Sequence, residues 1–142
     1  MKRRLFVLLN RFVNVLVTRI RPKTFRGGRL LVLTTTGRKT GKSRRTPLLF
    51  LEDGERWVVV ASNGGADWEP GWWLNLRAGG TGTLEVDGST ATVTGTEIQD
   101  PERASVWARL LDEVFDYDSY QRQVSRRIAV VSLDRVREHA GL

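Results

Sequence analysis

Two Asp-Gly pairs, Asp53-Gly54 and Asp87-Gly88, each lie between short runs rich in Val, Leu and Thr. Asp-Gly suits the two central positions of a tight hairpin turn, where φ is positive at both and the chain reverses at once. Residues 46–52 and 57–62, and again 83–86 and 91–97, are therefore predicted to be antiparallel strand pairs. A parallel arrangement is excluded at both places, because a crossover needs about a dozen residues. Residues 30–36 and 128–133 read as two further strands from their Val, Leu, Ile and Thr content. Strands joined mainly by hairpins, with helices inserted, define a mainly β chain with α elements, an antiparallel barrel.

The helices announce themselves by spacing. Trp68, Trp72, Trp73 and Leu76 repeat at helical intervals until Gly79-Gly80 ends the run. Asp100-Pro101-Glu102 offers an N-cap and a first-turn proline for a helix running through residues 104–115. Residues 116–125 read as irregular. Residues 1–20 carry apolar side chains at 5–9, 12, 13, 15–17 and 20, with Asn10, Arg11, Asn14 and Thr18 opposite them. That is an amphipathic helix with a wide apolar face. Residues 21–29, with Pro22, Gly27 and Gly28, read as a linker. At 142 residues the chain holds one core. It divides into an N-terminal helix and linker, 1–29, and a barrel domain, 30–142.

The basic start, Lys2-Arg3-Arg4, is like that of an export signal, but the unbroken apolar run covers only residues 5–9 and no small-residue cleavage site follows. No stretch of 18 apolar residues is available to span a bilayer. A cytoplasmic protein is expected. The helix over residues 1–20 either packs on the domain or lies on the inner face of the cell membrane; both readings stay open.

Charge is segregated along the chain. The first 51 residues contain 14 Lys or Arg and no Asp or Glu, whereas the remainder contains 9 basic and 16 acidic residues. The basic third is expected to face a polyanion: nucleic acid, an anionic membrane, or a phosphorylated or polycarboxylate ligand. Composition excludes several chemistries outright. With no Cys and one His, thiolate catalysis, zinc ribbons, iron–sulfur clusters and redox dithiols cannot be built, and no metal is expected. A catalytic triad would have to use His139 in the polar tail.

The segment TTTGRKTGKSRRTP carries the most chemistry. Gly41-Lys42-Ser43 imitates the end of a P-loop, but the spacing requires glycine at 36, where Thr36 stands, and Pro47 with the strand run that follows denies the required helix. What remains is a glycine-flanked loop between two strands, with Arg38 and Lys39 at its tip and Arg44-Arg45 on the returning strand. Glycines let successive N–H groups converge on an anion, and guanidinium forks add bidentate contacts. Alternation puts Arg44 and Arg45 on opposite faces, so one of them is expected to stay outside the site.

LLVLTTTGRKTGKSRRTPLLFLEDGERWVVVASNGG followed by WWLNL resembles the deazaflavin-dependent nitroreductase and quinone reductase family, actinobacterial reductases that use coenzyme F420, an 8-hydroxy-5-deazaflavin. The likeness is close over residues 30–76 and looser over 114–133. It implies a split β-barrel of the flavin-reductase-like kind that passes a hydride to a small hydrophobic acceptor: quinone-like, nitro or activated alkene. That coenzyme carries a phosphate and an oligoglutamate tail, a polyanion of the kind the basic third calls for. By matching position, Arg38, Lys39, Thr40 and Arg44 would cradle phosphate and tail. Thr46, Pro47 and Leu48 would line the groove, while Val60, Ala61, Ser62 and Asn63 approach the ring. Trp72, Trp73 and Asn75 would close the groove from the helix; for the tryptophans, core packing is the other reading. The resemblance also implies substrate-side tyrosines, here Tyr117 and Tyr120, with Tyr120 the first choice as proton donor and Ser62 a further hydroxyl. The chain departs from the pattern at Asn63, where Lys is common, at Thr46 and Leu49, and at Val114, where a third tyrosine is common.

Two rival classes remain. One is a flavin mononucleotide-binding split barrel. The other is a basic nucleic-acid-binding module, against which Trp57, Trp68, Trp72, Trp73 and Trp107 all lie outside the basic third. No nucleic-acid partner is expected.

Overall fold

A computed structural model describes residues 24–25 and 28–137. The expected helix over residues 1–20 and the tail with His139 lie outside these. The strands are β1 (Thr24–Phe25), β2 (Gly28–Thr36), β3 (Ser43–Leu49), β4 (Leu51–Asp53), β5 (Arg56–Val60), β6 (Gly82–Val86), β7 (Ser89–Glu97) and β8 (Val130–Arg135). The helices are α1 (Gly71–Arg77), α2 (Glu102–Glu113) and α3 (Tyr117–Gln121). All strand pairs are antiparallel, and the described strands make one sheet in the order β1-β2-β6-β7-β8-β5-β4, with β3 on β2.

The expected strand over 46–52 is in fact two strands on different neighbours. β3 pairs only with β2, and β4 only with β5 at the far end of the strand order. A single residue, Phe50, joins them, so the sheet has to curl until its two ends meet there. The result is a split barrel. Phe50 is buried, its N–H donates to Arg29 O at 3.3 Å, and the Arg29 guanidinium covers its ring at 4.9 Å. Part of the expected linker also belongs to the sheet: β2 starts at Gly28, and Thr24 and Phe25 pair with Arg29 and Gly28.

The two Asp-Gly sites behave differently. At Asp87-Gly88 both φ values are positive, 49 and 79, and the pair forms the turn between Val86 and Ser89. In the other hairpin the turn shifts by one residue to Gly54-Glu55, and Asp53 stays in the ladder opposite Arg56. Arg56 and Arg109 each hold the Asp53 carboxylate at 2.8 Å, which keeps that residue in the strand. The Arg109 and Arg56 hydrogen bonds also lower its pKa.

The single core expected from the chain length is divided by the sheet into two clusters, on the two faces of β5 and β8. Inside the barrel, Leu31, Leu33, Val59, Leu84, Val93, Val131 and Leu133 pack with Trp72, Trp73 and Leu76 of α1. Outside it, Val58, Val60, Ile128 and Val130 pack with Val106 and Leu110 of α2 and Tyr117 of α3. Strands covered on both sides have no solvent face, so β5 ends in the run Val58–Val60, while β8 keeps one buried hydroxyl, Ser132, which donates to Asp134 Oδ2 at 3.0 Å. Helix α2 begins at Glu102 with Pro101 in the cap position, and Asp100 just before it pairs with Arg127. The segment expected to be irregular contains α3, capped by Asp116 Oδ1, which accepts the Ser119 N–H at 3.4 Å.

Helix α1 seats against β7 at Gly95. A Cβ there would stand 2.9 Å from Leu76 Cδ1, 3.2 Å from Leu76 Cβ and 3.4 Å from Val131 Cγ1. Gly95→Val is expected to cost about 1–3 kcal/mol of stability by overpacking. Gly71→Ala, where nothing lies within 4 Å, should leave the midpoint of thermal unfolding unchanged or raise it. Parallel thermal melts of the two variants check this.

Candidate functional site

Strand alternation sorts the residues of the β2–β3 hairpin. Leu31, Leu33 and Thr35 face the interior, and they pair across the ladder with Leu48, Thr46 and Arg44. Arg44, Thr46 and Leu48 therefore share the inner face, and Arg45 and Pro47 the outer one. Arg45 pairs on that outer face with Glu85 of β6 at 3.0 Å. Pro47, expected beside Thr46 and Leu48, is turned away from them, because consecutive strand residues cannot face one side.

Between the strands the loop is tightly closed. Gly37 N–H donates to Lys42 O, and Gly41 N–H donates to Gly37 O, both at 2.8 Å. A Cβ on Gly37 would come within 2.7 Å of Thr40 Oγ1, and Gly41 has φ 71. Thr40 Oγ1 accepts the Lys42 N–H at 3.2 Å, so this hydroxyl braces the loop from within.

Asn75 fixes the loop to α1. Its Oδ1 accepts from Arg38 N–H at 3.1 Å and from Arg38 Nη1 at 3.2 Å, and its Nδ2 donates to Thr35 Oγ1 at 3.0 Å. Asn75 and Thr35 are both buried. Losing either partner would leave a buried polar group unpaired, at about 1–3 kcal/mol. Asn75 thus anchors the loop from beneath instead of closing a groove over it. Thr35 was not singled out in the sequence, although alternation from Leu31 and Leu33 leads to it directly.

Among the described residues, Arg38, Lys39, Lys42 and Arg44 have no carboxylate partner, whereas nearby Arg29, Arg45 and Arg77 each do. Lys42, passed over in the sequence reading, belongs to this group. Like charges gathered without counterions leave a strong positive potential at the loop, suited to a multivalent anion.

At the end of β5 the chain turns sharply. Ala61 faces the barrel core, but Val60 faces the outer one, again by alternation. Ser62 is buried; Asn63, Gly64 and Gly65 follow with φ 50, 64 and 85. Asn63 Nδ2 donates to Trp68 O at 3.2 Å, so its side chain holds the next segment. Trp72 and Trp73 are buried in the barrel core, which makes packing their role here; the Trp73 Nε1 donor is buried without a partner among the described residues. Tyr120 lies against the turn. A Cβ on Gly65 would stand 3.0 Å from Tyr120 Cδ1, so glycine is required both for the φ and for this approach. Tyr117 is 4% exposed and packs between Phe115 at 5.3 Å and Trp107 at 6.2 Å. Burial, with a smaller contribution from Tyr120, pushes its phenol up, and it remains a neutral packing residue. Of the three hydroxyls considered, Tyr120 and Ser62 border the turn.

A depression of about 810 Å³ opens elsewhere, between the β4–β5 hairpin and Asp134, Arg135 and Arg137. It includes none of the β2–β3 loop or Ser62-turn residues, and it contains the Asp53–Arg56 and Glu55–Arg137 ion pairs.

A curled antiparallel barrel with a cation-rich loop at the β2–β3 hairpin and a hydroxyl-bordered turn between β5 and α1 defines a split-barrel protein with a surface suited to an anionic ligand. The family model for F420H(2)-dependent quinone reductases matches residues 6–135. An F420H(2)-dependent quinone reductase of Mycobacterium tuberculosis (strain ATCC 25618 / H37Rv) is 35% identical, with 89% of this chain and 95% of the relative covered. Among solved structures, an F420H2-dependent reductase, FDR-A, matches at 30% identity and TM-score 0.66, covering 77% of this chain and 95% of that one. A chain described as a domain-swapped dimer matches at 26% identity and TM-score 0.68, covering 94% and 98%. The chain belongs to the F420H(2)-dependent quinone reductase family. It is an F420-dependent reductase, and its cofactor is coenzyme F420.

Proposed function

We propose that this enzyme passes a hydride from reduced F420 to a quinone-like acceptor bound beside Tyr120. Nitro compounds and activated alkenes are acceptors of the same kind, each taking hydride at an electron-poor atom. The observation that carries this reading is the loop of four cations without carboxylate partners among the described residues, anchored by the neutral Asn75 amide. Its donors suit a phosphate and a chain of carboxylates, and the chain has no Cys for redox work of its own. F420 supplies the hydride; the protein supplies binding, orientation and a proton.

Arg38, Lys39, Lys42 and Arg44 bind phosphate and tail, while Thr46 and Leu48 line the inner wall of the same hairpin. Ala61, Ser62 and Asn63 meet the deazaflavin ring along the turn. Tyr120 Oη delivers a proton to the acceptor oxygen as negative charge develops there. Ser62 Oγ is the second hydroxyl within the same turn.

Replacing Arg38, Lys39 or Arg44 by Ala is expected to weaken F420 binding about ten- to hundredfold, the worth of one charge-assisted hydrogen bond. Wild-type affinity should fall with added salt, and the triple variant should show a flatter dependence. Arg45→Ala is the control, since Arg45 pairs with Glu85 on the outer face. Titrations in which the folded triple variant keeps normal, salt-dependent affinity would move the anion site elsewhere.

Tyr120→Phe should lower kcat with a quinone about tenfold or more while F420 affinity stays within about twofold, because the hydroxyl acts only as charge develops. Unchanged turnover reassigns the proton to Ser62 or water.

No helix among the described residues is long and apolar enough to cross a membrane. Peripheral contact with an anionic membrane through residues 1–20 is a further part of this proposal, resting on the amphipathic sequence and on Lys2, Arg3, Arg4, Arg11 and Arg19. Deleting residues 1–20 is expected to abolish co-sedimentation with anionic vesicles. Equal sedimentation of the shortened and full chains would refute it.

A further inference from the structure

Arg126 lies between α3 and β8 and spends its guanidinium entirely on backbone carbonyls. Nη1 donates to Ala61 O at 3.2 Å. Nη2 donates to Ser62 O at 3.1 Å and to Ala66 O at 3.0 Å, and Nε donates to Ala66 O at 3.2 Å. No carboxylate comes within ion-pair distance of it among the described residues, in contrast to Arg127 beside it, which pairs with Asp100. A half-buried cation is thus solvated by the carbonyls of one turn, the turn that Tyr120 packs against.

The consequence lies on the other side of the peptide planes. In a trans peptide the C=O and the N–H point in opposite directions. Carbonyls 61 and 62 aim at Arg126, so the N–H groups of Ser62 and Asn63 aim away from it. Neither donates to any acceptor among the described residues, whereas Ala61, Gly65 and Ala66 N–H are all bonded, to Ala129 O, Ser62 O and Asn63 O. Ser62 is in the right-handed region and Asn63 has φ 50, a sequence that turns successive N–H groups toward one point. A positive charge on the carbonyl end of a peptide draws electron density from its N–H and makes it a stronger donor.

We propose that Arg126 is a positioning residue that fixes and polarises the Ser62 and Asn63 N–H pair as donors to a ring oxygen of the bound deazaflavin. Gln121, the last residue of α3, ties this device to the proton donor. Its Nε2 donates to Arg126 O at 2.7 Å, and its Oε1 accepts the Ile128 N–H at 2.9 Å. Tyr120, next in sequence to Gln121, and the clamped turn therefore share one support. The inference rests on the reading that F420 binds with its ring at this turn.

The test uses the full chain with F420. In wild type, the Ser62 and Asn63 amide resonances should move downfield when F420 binds, and the absorption band of F420 should shift from its position in buffer. Arg126→Gln is expected to weaken F420 binding about tenfold and to return the band toward its position in buffer. Arg126→Lys keeps the charge without the fork, and should retain part of the band shift. Arg127→Gln, which loses only an exposed ion pair, should match wild type. Amide resonances of Ser62 and Asn63 that stay fixed on saturation with F420 would overturn the inference even if the Arg126 variants fail to fold. So would Arg126 variants with wild-type affinity and band position. Wild type that does not bind F420 at all would instead overturn the cofactor reading. In that case a comparison of the Ser62 and Asn63 amide shifts between cofactor-free wild type and Arg126→Lys still tests the polarisation.

Discussion

Strand β3 ends at Leu49 and β4 begins at Leu51, yet they pair at opposite ends of the sheet order. One residue cannot bridge a flat sheet of this width, so the whole sheet must curl around the Phe50 joint. Everything else follows from that closure. The inner faces of β2, β6, β7 and β8 become one enclosed core, which α1 plugs with Trp72, Trp73 and Leu76. Once α1 is seated there, Asn75 on the same helix is delivered beneath the β2–β3 loop. The same curl brings the end of β5 round to the barrel rim, where the Ser62 turn leaves the sheet.

The site then combines two opposite electrostatic arrangements. At the loop, cations stand at the surface with no carboxylate partner among the described residues, a condition favoured by a run of 51 residues without Asp or Glu. The acids present nearby are spent on other arginines: Glu85 on Arg45, Glu52 and Asp87 on Arg29, Glu69 on Arg77. At the turn, the cation lies on the carbonyl side of the chain, and the Ser62 and Asn63 N–H groups point away from it. Charge that developed on bound oxygen would meet donors already oriented, with no reorganisation required at the moment of reaction.

Much of this was legible from the sequence, and the parts that were not share a cause. Asp87-Gly88 announced its hairpin because two positive φ values are a local requirement that few residue pairs meet. Asp53-Gly54 misplaced its turn by one residue because Arg109, 56 positions away, competes for the Asp53 side chain. The opposite faces of Arg44 and Arg45 followed from a period of two, which also turns Pro47 and Val60 away from the residues they were grouped with. The break at Phe50 was hidden, since residues on both sides are strand-like and only long-range pairing separates them. Helix α3 was hidden too, being a single turn built on the Asp116 cap. Tyr117 and Tyr120 were both candidate hydroxyls, with Tyr120 preferred; burial of Tyr117 in a core shared by α2 and α3 separates them physically, which a spacing of three residues cannot.

The chemistry of the two anchors explains why neither is an ion pair. A carboxylate in place of the Asn75 amide would bond Arg38 more strongly, but it would cancel one of the charges the loop presents. It would also lose the donor to Thr35 inside a buried pocket, where an ionised group is costly to desolvate. The amide holds the loop and leaves its charge intact. Arg126 is treated the same way from the opposite side: carbonyl oxygens satisfy its guanidinium, and Glu69 and Asp67 act on it only from beyond ion-pair distance. Neutral ligation of a cation is the shared device. It places positive charge where the fold needs a fixed contact, and leaves that charge available to a bound anion or an electron-rich oxygen.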